Sequence, residues 1–403
     1  MLRFALSLNK ELTLYDLKIA LINYIIAMQK NEEFLLLVND LNSSSTLDKQ
    51  NIEILKKFSI DTQHIIYESE NIKIYESMAV RLLKEQKAFV CFCDKKEDCK
   101  CLNLGDKDIK ELKEKKEFVI KIKPSPNAIE FKDIIDNKSY SSKVKSFTLL
   151  NSKGEIEPIF ALSIDDIIYD ISTIIKKASN LDSTFKEIYL SRALNIKKEI
   201  EYGHLAPIKN DISIKELLKE GFLPDAIINY ILLLGYKNPP SKIFYLKDAI
   251  KWFDLKNIDN SPTTFNKKEL EKINKEHLKQ LDSKKLSLIF GFADSDIGEL
   301  LKLFLNEANT INELDKKLKN IFSLKDCSSN KELAKVASLI YEAPMINNFE
   351  EFKEYLLKKS DIDEKRLLEH LKILFTNNPN EPIDLKALYT YLNPYLLEVA
   401  RCQ

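Results

Sequence analysis

Four cysteines fall close together, as Cys91-x-Cys93 and Cys99-x-Cys101, with the run DKKED between the pairs. Two such pairs can bring four thiolates around one tetrahedral zinc ion, and four sulfur ligands close the shell, leaving no position for a reacting water. The spacing therefore points to a structural Zn²⁺ that pins its segment; the bland alternative is four buried or idle thiols. Cys327 and Cys402 stand alone and read as free thiols, so the cysteines do not form a secreted disulfide framework. The histidines His64, His204, His277 and His370 are scattered, which leaves little material for a histidine-based catalytic centre. His204 follows Gly203 at a predicted strand end and is read as mainly structural. The basic residues include only five arginines (Arg3, Arg81, Arg192, Arg366, Arg401). The rest are lysines, which attract phosphate but lack the bidentate fork, so any nucleic-acid contact has few precise anchors.

The elements that would hold these groups follow from the hydrophobic pattern. The chain has 403 residues, 62 Lys+Arg against 62 Asp+Glu, and 44% hydrophobic residues. That is roughly two to four domains with ordinary cores, and it excludes a polycation, an acidic tail and a disordered chain. LRFAL and FLLLVND are buried-looking strands, while Tyr15 to Met28 and Ile52 to Phe58 carry helical spacing, an order that suggests a parallel α/β sheet. From Lys84 to Pro158 the character changes to a cysteine cluster, a lysine-rich stretch and short alternating runs, read as a β-rich insertion. FALSIDDIIYDIS then reads as a strand and turn returning to the sheet. From about Ile212 the pattern is almost entirely helical. The tail from Leu286 to Gln403 holds 15 Lys+Arg and 19 Asp+Glu, a net charge of −4 and a weak match for RNA. The first residues make a poor signal peptide, and the apolar run Ile19 to Met28 is about half a membrane span, so a cytoplasmic protein with no membrane or DNA partner is expected.

In longer stretches the sequence resembles the bacterial glutamyl-tRNA synthetase family. EGFLPDAIINYILLLGYKNP and the following SPTTFNKKELEKINKEHL are similar to the family's "GYLPEALLNYLALLG" and "SPAxFDxxKLxxxN". LLKEQKAFVCFC resembles "LLxxGKAYxCxC", FALSIDDIIYDIS resembles "FAxxVDDxxMGIT", and LKILFTNNPNEPIDL is similar to "LTGxxxGPEL". The matches run in one order over nearly the whole chain. The resemblance implies a class I synthetase plan, an α/β Rossmann-like N-terminal domain with a small inserted α+β domain, followed by all-α stem-contact and anticodon-binding-like domains. The boundaries expected are 1–83 with 159–211, then 84–158, 212–285 and 286–403. The family activates glutamate with ATP and joins it to tRNA, and many members carry zinc where the cysteine cluster lies, usually across a longer loop.

The departures fall on the family's functional motifs. The "HIGH" positions correspond to Thr13, Leu14, Tyr15 and Asp16. Both imidazoles are gone, a tyrosine stands where glycine lets adenine lie against the backbone, and Asp16 brings negative charge toward the triphosphate. Only APIKNDISIKELLKE separates His204-Leu205 from Gly221, too short for the "KMSKS" loop with its phosphate-clamping lysines. In the amino-acid pocket "RFAPSPTG" becomes RFALSLNK, keeping Arg3, Ala5 and Ser7, and "RIEDTD" becomes LVNDLN, keeping Asp40 but with Asn39 for the glutamate. "YNFA" becomes PIFA, with Pro158 and Ile159 in the tyrosine and asparagine places, and "RGEDH" becomes Lys176 to Asn180. These changes argue against ATP binding. The expectation is a catalytically degenerate paralogue, inactive or strongly impaired, acting as a binding or regulatory protein on tRNA, with weakened grip, or on an unidentified protein partner. The alternative is a divergent but active glutamate–tRNA ligase whose lysines, Lys176 among them, replace the missing groups.

Overall fold

The computed structural model describes residues 1–7, 10–41, 47–62, 64–93 and 99–403, with the side chains of Ser7, Leu47 and Asp48 set aside. Two compact units result, Met1–Glu216 with Ile228–Phe265 and Leu217–Ile227 with Asn266–Gln403. The segment 212–285 expected from sequence is thus divided between them.

The first unit is built on strands β1 (Leu2–Ser7), β2 (Phe34–Asn39) and β3 (His64–Tyr67), linked by helices α1 (Leu14–Lys30) and α2 (Leu47–Lys57). Thr13 starts α1 by accepting the Asp16 N–H on its hydroxyl, while the Asp16 carboxylate accepts the Thr13 N–H, a reciprocal cap. Asn31 ends it in the left-handed conformation at φ 55°. Every residue from Leu14 to Ala27 is buried, as expected for a helix apolar on most faces. After α3 (Ile72–Lys84) comes the inserted segment. Its strands β4 (Ala88–Cys91), β5 (Val119–Ile122) and β8 (Thr148–Leu150) form one antiparallel sheet, β6 (Ile129–Lys132) and β7 (Ser139–Ser142) form a hairpin, and α4 (Asp106–Lys113) lies between β4 and β5 in sequence.

The chain returns through α5 (Pro158–Ile168), β9 (Thr173–Lys177), α6 (Leu181–Ala193) and β10 (Glu201–Leu205). The sheet order is β10-β9-β1-β2-β3 with every pair parallel, a Rossmann-like arrangement. FALSIDDIIYDIS is therefore mostly helix, not a strand and turn. Pro158 takes the first helical position, where a missing N–H costs nothing, and the branched apolar residues read as strand because the helix buries several faces. The returning strand is β9, one segment later. Within β10, a Cβ at Gly203 would lie 2.7 Å from the end of the Ile175 side chain and 3.0 Å from that of Ile135, so a larger residue there would have to displace those methyl groups. Unit one is completed by β11 (Ile208–Lys209), the start of α7 (Ile214–Lys219), most of α8 (Pro224–Leu233), α9 (Leu246–Trp252) and β12 (Thr263–Thr264). Trp252 packs on Tyr236, Phe244 and Phe253, the anchoring role its size implies.

The second unit is helical: α10 (Lys267–Gln280), α11 (Ser283–Ile289), α12 (Asp296–Lys302), α13 (Ile311–Phe322), α14 (Lys331–Glu342), α15 (Phe349–Ser360), α16 (Glu364–Thr376), α17 (Leu385–Leu392) and α18 (Leu396–Val399). One continuous core of Leu, Ile and Phe runs through it. Fully buried Lys325 gives its ammonium to the carbonyls of Asn320, Ile321 and Ser323, satisfying the end of α13. Cys327 and Cys402 are not free thiols but a disulfide, with Cα atoms 5.5 Å apart across a sequence separation of 75. That distance along the chain hid the pairing. No helix among the described residues is long and apolar enough to cross a membrane.

Candidate functional site

Strands β1 and β9 pair only at Leu2 and Thr173 and then part. Asn23 of α1 fills the gap in the ladder: its amide donates to the Ile175 carbonyl at 2.8 Å and its oxygen accepts the Ile175 N–H at 2.9 Å. A buried side chain thus satisfies backbone groups that a neighbouring strand would otherwise hold. Where the strand order reverses, beyond the carboxyl ends of β1 and β9, lies a cavity of about 570 Å³. This is the place where open α/β sheets bind ligands. Its walls include Arg3, Ala5, Lys10, Asp16, Asn39 and Lys176.

The cations in these walls already hold carboxylates. Arg3 is nearly buried on β1 and forks onto Asp166 of α5, Nε to Oδ1 at 2.5 Å and Nη2 to Oδ2 at 2.8 Å. Burial works against its charge, but the Asp166 carboxylate more than offsets this and raises the guanidinium pKa. Lys176 of β9 donates to both oxygens of Glu187 at 2.7 Å, and lies 3.3 Å from the Thr184 hydroxyl and 3.4 Å from that of Ser183. Burial draws its pKa below that of an ordinary lysine, with Glu187 pulling the other way. Lys177 bonds Asp16 at 2.6 Å and lies 4.8 Å from the centre of the Tyr15 ring. Burial pushes the Asp16 carboxyl up, yet Lys177, Thr13 and Lys10 together leave it below the usual range.

Of the "HIGH"-equivalent residues, only Asp16 lines the cavity. Leu14 is core, and Thr13 serves as the cap already described. Tyr15 is buried with its hydroxyl donating to the Leu205 carbonyl and accepting the Ala178 N–H at 3.4 Å, so its ring lies against the ends of β9 and β10. Burial raises its pKa to about 12. The stretch after β11 is sewn to the start of α1: Leu14 N–H to Ile212 O at 2.9 Å, Ile214 N–H to Leu12 O at 2.9 Å, and Tyr15 N–H to the Asp211 carboxylate at 3.0 Å. Ser213 bonds Glu11 at 2.8 Å.

Among the pocket residues, Ala5, Asn39, Pro158 and Ile159 line the cavity with Arg3. Ser7 pairs with Asn39 at the end of β1, and its side chain lies outside the described part. Asp40 does not line the cavity; it accepts from the N–H and hydroxyl of Ser69 at 2.8 and 2.5 Å, fixing the turn before α3. Two buried acids at that turn were not singled out from the sequence, although Asp165 lies in SIDDII. Glu68 leaves Oε2 without a partner among the described residues, and burial, aided by Asp165 and Asp40, pushes it up to about 8. Asp165 is held by Tyr75 at 2.8 Å and Asn71 at 3.0 Å, yet burial still raises it to about 7. His204 bonds Asp133 at 2.6 Å and Thr184 at 2.9 Å inside the core, a structural position.

The cysteine cluster is brought together as its spacing requires. Sulfurs of Cys91, at the end of β4, Cys93, Cys99 and Cys101 all lie within 4.8 Å of one another, with near pairs at 3.2 to 3.5 Å. Tetrahedral Zn–S bonds of about 2.3 Å place sulfurs about 3.8 Å apart, so the donor set fits one metal ion. Burial pushes the Cys91 and Cys99 thiols up. The run DKKED between the pairs, read from sequence as a turn, lies outside the described residues.

Residues 1–272 match the family model of class I tRNA synthetases (E and Q), catalytic domain. The chain is similar to the protein named glutamate–tRNA ligase 2 of Sulfurovum sp. (strain NBC37-1), 37% identical over 429 residues and covering 99% of this chain and 100% of the relative. It is 33% identical over 435 residues to glutamate–tRNA ligase 1 of Campylobacter jejuni subsp. jejuni (strain 81-176), with 100% of both chains covered. The fold is like that of a glutamate tRNA ligase from Elizabethkingia meningosepticum, with TM-score 0.77 at 19% identity over 99% of this chain and 97% of the other.

Proposed function

This chain belongs to the glutamate–tRNA ligase family of class I synthetases, and from that premise we propose that it is a paralogue in which adenylate formation is abolished or strongly impaired and which acts as a binding or regulatory protein on tRNA or a protein partner. The observation that carries this reading is Tyr15. Its hydroxyl is tied to Leu205 and its ring lies against the ends of β9 and β10, and by sequence register it replaces the glycine that in the family leaves room for adenine. The short segment after β11, bonded to the start of α1, adds no phosphate-clamping loop. Adenylyl transfer is catalysed by positive charge placed on the phosphates, and one such donor is worth roughly 10²–10³ in rate. Here Lys177 is paired with Asp16, and the remaining cation beside it, Lys10, is largely exposed.

Purified protein given ATP, glutamate and tRNA is expected to show no pyrophosphate exchange above background, and clear turnover would sink the proposal. A tRNA mobility shift at low salt, where counterion release most favours binding, separates a tRNA-binding role from a protein scaffold. A second reading, a divergent active ligase, is favoured by the 570 Å³ cavity beside Asp16 with Lys10 and Lys177 in its wall; the same exchange assay decides between them.

We assign the four cysteines one structural Zn²⁺ that pins the insertion, with no open position for catalysis. Elemental analysis should find one zinc per chain, and Cys99→Ser should lose it. The domain roles follow the family plan: 1–83 with 159–211 catalytic-type, 84–158 acceptor-facing, 212–285 stem-contact and 286–403 anticodon-type.

A further inference from the structure

We propose that Glu187 is a built-in carboxylate that occupies Lys176, the buried lysine an acidic amino acid would need, so that the cavity binds free glutamate only weakly while that pair is closed. The inference rests on the family reading above and concerns the ligand side of the same cavity.

A dicarboxylic amino acid in this cavity needs buried positive charge for its carboxylates. The candidates in the wall are Arg3, Lys10, Lys176 and Lys177. Lys176 has three donor hydrogens, and two oxygens of Glu187 with the Thr184 and Ser183 hydroxyls already surround it. Arg3 has turned its Nε and Nη2 edge to Asp166. Lys177 is paired with Asp16. Lys10, with 55% of its side chain exposed and Asp16 at 3.7 Å, is a weak point charge near water.

A ligand carboxylate can reach Lys176 only by displacing Glu187, whose side chain is 2% exposed, and that would strand a buried anion. Asp166 holds only the Nε and Nη2 edge of Arg3 and does not by itself close it. Glu187 is fixed by α6, so it does not have to be ordered before it competes. An external glutamate must be immobilised at entropic cost and still find Lys176 taken.

The test is calorimetric titration of the full chain with L-glutamate, without ATP or tRNA, and with L-glutamine as the neutral control. Glu187→Gln keeps an amide oxygen for Lys176 but removes the competing charge. It is expected to tighten glutamate binding at least ~10-fold over the wild type, while glutamine changes less than ~2-fold. Submillimolar glutamate binding by the wild type overturns the inference, as does no gain in Glu187→Gln or an equal gain for glutamine, which would mean a loosened cavity. If Glu187→Gln fails to fold, Glu187→Ala, which likewise removes the competing carboxylate, is read in the same way. Wild-type glutamate binding without pyrophosphate exchange overturns this inference alone; exchange overturns the proposed function.

Discussion

Glu68 holds a carboxyl in a place with little room for its charge. Its Oε2 has no partner among the described residues, and Asp165 and Asp40 are the acids nearest in effect. The folded-state pKa of about 8 lies above the value of an unfolded glutamate, so the native state binds the extra proton. Its contribution is therefore complete below the unfolded pKa and is lost as pH rises toward 8. Asp165, raised to about 7, adds to the same slope. Glu68→Gln should flatten the fall in stability between pH 5 and 8, and should be stabilising by about 1–3 kcal/mol at pH 8 while nearly neutral at pH 5. Urea unfolding at the two pH values measures this; a parallel loss at both would mean Glu68 is stabilising as an anion. The charged pairs Arg3–Asp166 and Lys176–Glu187 belong to the same buried layer. Neither pair was legible in the sequence, because nothing in LRFAL or SIDDII says which acid the arginine will meet 163 residues away.

At the scale of elements, the sheet is held at its narrowest point by a side chain. Asn23 answers both the N–H and the C=O of Ile175, in addition to the Ile19 carbonyl of its own helix. Asn23→Ala leaves those strand groups buried and unpaired, and should cost about 2–4 kcal/mol, read as a lower urea midpoint with unchanged m-value. A cost below about 1 kcal/mol would show that water replaces the amide easily. The pattern of strands and helices from β1 to α2 was visible as apolar runs against 3.6-residue spacing, while β3 and α3 were not singled out. The error at α5 came from the same rule: a helix buried on several faces loses its polar stripe, and Phe160, Ala161 and Ile164 then read as strand. The cysteine spacing was readable because metal ligands must be close, whereas Asn23 and Tyr15 depend on where β9 arrives.

For the whole molecule, family and fold were legible because the resemblance extends in order over the chain, and matches to relatives cover it nearly end to end. The division into units was less so, since α7 and α8 are shared between them and no composition shift marks the cut. The Cys327–Cys402 bond lies within the helical unit, tying the last residues to the segment after α13. Closing a loop of this size is worth about 4.5 kcal/mol by the chain-entropy account. Reductant, or Cys402→Ser, should lower the thermal stability of the helical unit while leaving the metal content of the cysteine cluster unchanged. An unaltered calorimetric trace would remove any role for the bond.

The parting of β1 and β9 bears on the order in which the first unit assembles. Strands β1, β2 and β3 are neighbours in sequence as well as in space, so their pairings close short loops. Strand β9 arrives only after the whole insertion, and finds a single ladder position on β1. Joining the halves of the sheet is then the high-contact-order step, and the helix carrying Asn23 must be in place to receive it. Mutations at Asn23 and in β3 should accordingly both slow refolding with little change in the rate of unfolding, since both sets of contacts are made by the time the halves join.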